Sequence, residues 1–424
     1  MAEILRRITP FLQRFRDYLH NAWVEGLLAV LGFVSGILLA RGLGPAARGQ
    51  LTAAMIWPNV TCELLSFGLC HAFVYSTGAG WATPARLRRL GFRLTIFLGV
   101  PGTVVYWFLC PFLFRKQFPL DLTVPRLFSV SIPIYLLHAY LLAIYQGSGS
   151  FRRWNFDRVF SRAVWALVIL LLAATSTIGI GKLLVTQFGT FVFLTTYLLV
   201  GFRTLPAEAP GAKAEPFPAI LRYGFAVYAS GIAFSINQKL DQLLLSLFVS
   251  PAELGQYGSA TSIAMLLVLI PSAFGPVFFT KMAQTQGRTR DQLAQSRDVI
   301  RLTFAILIPA GVVLTAIAPW LARALFGEPF AEAGRLLTVL APATMLLGIF
   351  YILSDLFRGI GRPMYSTYGA IAGTVITIAG LYVFLPKFGC WAAAWVSLAA
   401  YGSMALIEIA FLVKWRRELL LKPA

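Results

Sequence analysis

Six ionisable side chains stand inside otherwise apolar runs of this sequence: Glu25, Glu63, Lys239, Asp241, Asp355 and Glu408. Asn59, Asn237, Gln238, His71 and His138 add polar or titratable groups to the same runs. A charge placed in hydrocarbon is costly, so such residues usually face a protein interior or a water-filled cavity and bind an ion or a polar solute there. Lys239 offers an ammonium suited to a phosphate, while Asp241, Glu63 and Glu25 offer carboxylates that can take up H+ or Na+ and couple transport to an ion gradient. Residues two apart on a helix do not face each other, so Lys239 and Asp241 cannot pair with one another. Glu25 or Glu63, across a cavity, fits the need for a partner. The candidate cavity set is therefore Glu25, Asn59, Glu63, His71, Asn237, Lys239 and Asp241. The competing reading is an interhelical ion pair that fixes packing, with Glu25 and Asp355 reaching out to the interface.

The elements that must position these groups follow from composition. Of 424 residues, 58% are hydrophobic and 12% charged, against roughly 45–50% and about 25% in soluble domains. A bilayer core about 30 Å thick takes roughly 20 apolar residues per helix. Runs of that length predict spans near 22–40, 52–77, 92–113, 125–146, 161–180, 183–201, 221–249, 257–280, 302–322, 334–357, 366–386 and 390–413. They are continuously apolar, without the period-two alternation of barrel strands, so the expected fold class is an all-α polytopic membrane protein.

The net charge of +19 marks topology rather than a nucleic-acid partner. With the N-terminus in the cytoplasm, most of the 36 Lys and Arg residues fall on cytoplasmic segments, including Arg158 and Arg162. Arg41 and Arg48 fall on the opposite side. The positive-inside rule then places both termini in the cytoplasm and makes the number of spans even. Residues 1–21 carry Ile4, Leu5, Ile8, Phe11, Leu12, Phe15, Tyr18 and Leu19 at helical spacing with arginines between them. That pattern predicts an amphipathic segment on the cytoplasmic leaflet, kinked or delayed by Pro10.

The two halves repeat one another. Pro45, Ala46, Gly49 and Gln50 recur in register as Pro251, Ala252, Gly255 and Gln256, 206 residues on. Gly147 and Gly149 recur as Gly359 and Gly361, 212 residues on. Six spans per half give the two repeats the same orientation, with substrate expected between them. The domain plan is an amphipathic segment at 1–21, a six-helix lobe at 22–201, a Pro- and Ala-rich cytoplasmic linker at 202–220, a second lobe at 221–413 and a basic tail at 414–424. Pro271 and Pro276 interrupt the hydrogen-bond ladder of the eighth span and are candidate hinges.

No catalytic motif is present. Gly181-Lys182 is followed by Leu183 rather than the Ser or Thr of a phosphate-binding loop, and no His-Glu-x-x-His occurs. Cys62, Cys70, Cys110 and Cys390 have neither Cys-x-x-Cys spacing nor histidines at ligand spacing, so they read as packing residues. Neither a metal nor a cofactor is expected, and the chain is not read as an enzyme.

The segments Leu38 to Gln50, Asn237 to Leu245 and Ser250 to Tyr257 resemble the signature loops of oligosaccharide flippases in the MATE-like, or MOP, superfamily. Leu325 to Gly334 and Leu385 to Ala394 extend the resemblance in the same order along nearly the whole chain. It implies a Wzx-type exporter that moves polyprenyl-diphosphate-linked oligosaccharide to the outer leaflet of the bacterial inner membrane. It further implies membrane lipids and polysaccharide-assembly proteins as partners, and a cavity lined chiefly by helices 1, 2, 7 and 8. The candidate cavity set holds three carboxylates and one amine, an acidic balance that keeps a MATE-type exporter of organic cations as the alternative. A membrane glycosyltransferase or ligase would need an exposed catalytic loop, and none is evident.

Overall fold

The computed structural model describes the backbone of residues 2–175, 177–202, 205, 216–284 and 289–420; side chains within 1–25, 226–238, 283–291 and 419–424, and at a few positions between 273 and 281, lie outside the description. Helix dominates, and no strand occurs among the described residues. The first helical run, Ala2–Ser66, holds 65 residues. A straight helix of that size would extend about 97 Å, three times the bilayer core. It is broken at Gly44, whose φ of 71° only glycine adopts freely, giving α1 (2–43) and α2 (45–66). The helix begins at Ala2 and runs through Pro10, so the anticipated amphipathic segment is continuous with the first span.

After a second break at Phe67 and Gly68, with φ of 44° and 71°, α2 resumes over Leu69–Gly78. Then follow α3 (Pro84–Leu113), α4 (Thr123–Gly147), α5 (Phe151–Ala174), α6 (Ile180–Gly201) and α7 (Phe217–Phe248). Next come α8 (251–284), α9 (Thr289–Phe326) and α10 (Ala331–Gly359). The last run, Met364–Leu420, divides at Gly389 (φ 51°) into α11 (364–388) and α12 (390–420).

Eight helices among the described residues are long and apolar enough to cross a membrane on composition alone. Two of these contain the glycine breaks and so represent four rods. The other two rods are α5, whose first half is rich in arginine, and α7, described only in part. The result is twelve crossing helices in two six-helix lobes, α1–α6 and α7–α12, in a multi-pass membrane protein.

The lobes share a core. Leu39, Ala40, Leu51 and Ala54 of the first lobe pack in one cluster with Leu254, Tyr257, Ala260 and Leu337 of the second. The start of α7 crosses over: Phe217, Ile220, Leu221 and Tyr223 join a first-lobe cluster around Leu69, Phe73 and Tyr140. Large apolar residues point outward around the molecule, among them Phe97, Phe108, Trp320 and Tyr382. An apolar exterior of this extent requires lipid against it.

Candidate transport cavity

A cavity of about 1260 Å³ opens between the lobes, above the roughly 300–1,000 Å³ typical of small-molecule pockets. Its walls come from α1, α2, α4, α5 and α6 on one side and α7 and α8 on the other. The first lobe thus contributes helices 4, 5 and 6 in addition to the expected 1 and 2. Both rods flanking Gly44 line it, through Leu28, Gly32 and Ser35 on α1 and Arg48, Asn59 and Glu63 on α2.

Among the described residues, four cationic side chains line the cavity, Arg48, Arg158, Arg162 and Lys239, against two carboxylates, Glu63 and Asp157. Both carboxylates are engaged. Lys239 Nζ donates to Glu63 Oε2 at 2.6 Å, joining α7 to α2 across the lobe boundary. Asp157 Oδ2 lies 3.1 Å from His138 Nε2, joining α5 to α4, and Thr195 Oγ1 stands 3.4 Å from the other ring nitrogen. Arg48 Nε is buried with no hydrogen-bond partner among the described residues. Arg158 lies over the Trp154 ring at 4.5 Å. Arg162 Nη1 approaches α1 at Gly32, where even a Cβ would stand 3.6 Å from it.

Among the described lining residues cations outnumber carboxylates, the reverse of the balance anticipated from sequence. Arg158, Ser161, Arg162 and Trp165 are spaced to share one helical face, and all four line the cavity. Their i, i+3, i+4, i+7 spacing was the available signal. Arg48, too, lines the cavity instead of serving only as a loop charge.

Of the sequence-derived set, Asn59, Glu63, His71 and Lys239 line the cavity. Asn59 Nδ2 donates to the Met55 carbonyl of its own helix at 2.6 Å. Asp241 is not among the residues that line it and borders a neighbouring void instead. At about 100° per residue, positions two apart diverge by roughly 200°, so with Lys239 facing the cavity Asp241 faces the second lobe. Its Oδ2 accepts from Tyr257 Oη at 2.9 Å and from Ser397 Oγ at 2.6 Å. Oδ1 is buried without a partner among the described residues, beside a separate small void bordered by Thr261, Thr344 and Tyr401. The side chains of Glu25 and Asn237 lie outside the described residues.

Two other membrane carboxylates also sit away from the cavity. Asp355 pairs with Arg358 one turn on, and the fully buried Glu408 accepts from Ser354 Oγ at 2.7 Å. At Pro271 the eighth helix tightens rather than breaks. A 3-10 turn, Met265–Val268, precedes it and absorbs the Leu267 carbonyl that proline cannot bond. The side chain of Pro276 is outside the described residues, and the backbone there is helical.

One end of the cavity is shut where the repeated loops meet. A Cβ at Gly49 would collide with the Pro251 carbonyl, and one at Gly255 with the Pro45 carbonyl, so the starts of α2 and α8 touch backbone to backbone. Gln117, wholly buried, donates from Nε2 to the Ser246 carbonyl of α7 and to the Val249 carbonyl just past its end, each at 3.0 Å. Trp57 Nε1 donates to Ser246 Oγ at 2.9 Å. Arg41 donates to the Leu325 and Ala324 carbonyls at the end of α9, where the helix dipole favours a cation. The repeat is visible even in hydrogen bonds: Gln50 donates to the Gln117 carbonyl, and its counterpart Gln256 to the Pro329 carbonyl.

Residues 38–335 match the family model described as "Polysaccharide biosynthesis protein", a span of more than half the chain. The chain belongs to this family. The chain is similar over 196 residues, at 18% identity, to the probable low-salt glycan biosynthesis flippase Agl15 of Haloferax volcanii, covering 46% of this chain and 42% of that protein. It is 22% identical over 361 residues to the uncharacterized transporter YDR338C of Saccharomyces cerevisiae, covering 81% of this chain and 51% of the relative. The chain thus spans about half the length, or less, of these curated relatives.

The fold is that of MOP transporters. The lipid II flippase MurJ in an inward closed conformation superposes with a TM-score of 0.76 at 14% identity, over 92% of this chain and 86% of that one. A multidrug resistance MATE family transporter of the MOP superfamily superposes in its inward-facing conformation with a TM-score of 0.74 at 16% identity, over 94% and 96%. The outward-facing conformation gives 0.60 at 16% identity, over 95% and 94%.

Proposed function

We propose that this protein is a flippase that carries polyprenyl-diphosphate-linked oligosaccharide from the cytoplasmic to the outer leaflet of the bacterial inner membrane during polysaccharide assembly. The observation that carries the reading is the basic wall of the inter-lobe cavity, where four cations stand against two engaged carboxylates among the described residues. Guanidinium groups bind phosphate oxygens with two parallel hydrogen bonds, and a diphosphate supplies the matching anion. Arg48, Arg162 and Lys239 are assigned to it, with Asn59 and His71 available to sugar hydroxyls. An exporter of organic cations would have to place its substrate against this surplus of positive charge.

Both termini are assigned to the cytoplasm, the shut end to the outer face, and residues 202–220 to a linker between the lobes. Alternating access requires Gln117, Arg41 and the Gly49–Gly255 contact to separate, with the α8 segment around Pro271 and Pro276 as the bending element. Coupling to H+ or Na+ is assigned to Asp241, whose buried carboxylate and neighbouring void sit apart from the substrate wall. Glycosyltransferases supply the lipid-linked glycan, and polysaccharide-assembly proteins take it up.

Deleting the gene tests the assignment. Loss of surface polysaccharide together with accumulation of the lipid-linked intermediate is expected. Unchanged polysaccharide with no accumulating intermediate refutes it, and increased sensitivity to cationic dyes in its place makes the protein a drug exporter.

A further inference from the structure

The α2–α7 seam holds a feature that transport of an anionic lipid does not by itself require. Lys239 and Glu63 form the ion pair that crosses between lobes among the described residues, and both reach the cavity, with side chains 38% and 28% exposed. An anion in the cavity can therefore touch the ammonium that Glu63 holds. Beyond Glu63 the same seam is closed by aromatic stacking, Phe67 on Phe225 at 5.9 Å and Tyr75 on Tyr223 at 4.2 Å. Gly224 lies against the backbone of Gly68.

The backbone of α2 is broken where that stacking begins. Phe67 has φ of 44°, the one positive value outside glycine among the described residues. For a bulky aromatic this conformation is strained and persists only where its surroundings hold it. It lies four positions after Glu63. A carboxylate tied to the opposite lobe, a strained break one turn further on and an aromatic stack that pins the break form one connected element, of the kind that stores two alternative arrangements.

We propose that Glu63 and Lys239 form a charge-exchange latch: a phosphate- or diphosphate-bearing headgroup takes Lys239 from Glu63, and the α2–α7 seam is released at Phe67 and Gly68. The proposal rests on the flippase reading above and adds how the occupied cavity is sensed. Glu63 acts as a built-in competitor for the substrate anion. Its loss therefore tightens substrate binding, which is the opposite of what loss of a substrate ligand does.

The test uses the full-length protein in phosphatidylcholine nanodiscs, titrated with undecaprenyl diphosphate and, separately, with inorganic pyrophosphate. Glu63→Gln is expected to bind undecaprenyl diphosphate about tenfold more tightly than the parent and Lys239→Gln about tenfold more weakly. The double variant is expected to match Lys239→Gln, because the gain from losing Glu63 requires a free Lys239. The charge-swapped variant, Glu63→Lys with Lys239→Glu, restores the pair and keeps the comparison meaningful if a single variant folds poorly. Unchanged affinity in Glu63→Gln, or a gain that survives in the double variant, overturns the latch while leaving the flippase reading intact. A parent protein that binds neither anion overturns both. Binding of pyrophosphate as tight as that of the lipid overturns the lipid-linked source.

Discussion

Replacing Gln117 by Leu should open the shut end of the cavity. Gln117 Nε2 makes two hydrogen bonds to carbonyls on the other lobe, each worth about 0.5–1.5 kcal/mol net. Its Oε1 is buried without a partner among the described residues, so removing the amide also relieves one desolvation cost. A net loss of about 1–2 kcal/mol follows, a factor of roughly 5–30 in population. The loss falls on the closed arrangement alone, because the Ser246 and Val249 carbonyls reach water once the lobes part. Spin labels at Ala46→Cys and Ala252→Cys, exposed and equivalent by the repeat, report the gap in a background without the four native cysteines. The long-distance population should rise by that factor. Gln256→Leu is the control, since among the described residues Gln256 bonds within its own lobe, to the Pro329 carbonyl and the Ala333 amide. It should lower thermal stability without moving the distance distribution. An unchanged distribution in Gln117→Leu, or an equal shift in Gln256→Leu, refutes the reasoning.

Other consequences concern the charges. Arg48→Ala and Arg162→Ala should each weaken binding of polyprenyl diphosphate by about tenfold or more, given roughly 1.5–3 kcal/mol for a charged hydrogen bond; titration in nanodiscs measures it, and parental affinity in both variants removes them from the site. Asp241→Asn should abolish the response of transport to an imposed H+ or Na+ gradient while leaving substrate affinity unchanged, because Asp241 bonds to Tyr257 and Ser397 rather than lining the cavity. Transport assayed with and without each gradient decides this, and a substrate-binding defect would contradict the placement.

The fold is largely legible in the sequence. Apolar runs of bilayer length marked the helices, and Gly49 with Gly255 marked the duplication that the structure closes into a single contact. Lys239 needed a partner other than Asp241, and Glu63 provides it. What sequence misjudged was the facing of side chains. Arg158 and Arg162 counted as topology charges because arginines near helix ends usually are, yet their spacing of four puts both on the cavity face of α5. His138 and Asp157 are 19 residues apart on different helices, and only packing of α4 against α5 brings them to 3.1 Å. Asp241 entered the cavity set by belonging to the right helix, whereas its rotation about that helix assigns it to the second lobe.

The central claim, that the basic cavity translocates a diphosphate-linked glycan, is tested most directly in proteoliposomes carrying a fluorescent polyprenyl-diphosphate oligosaccharide. Adding a membrane-impermeant quencher measures how much of the lipid reaches the accessible leaflet. The account predicts that the protected half becomes accessible when the protein is present, and that an Arg48→Ala, Arg162→Ala double variant slows this strongly. A protected fraction that persists with folded protein, in vesicles where a cationic dye is moved instead, would contradict it.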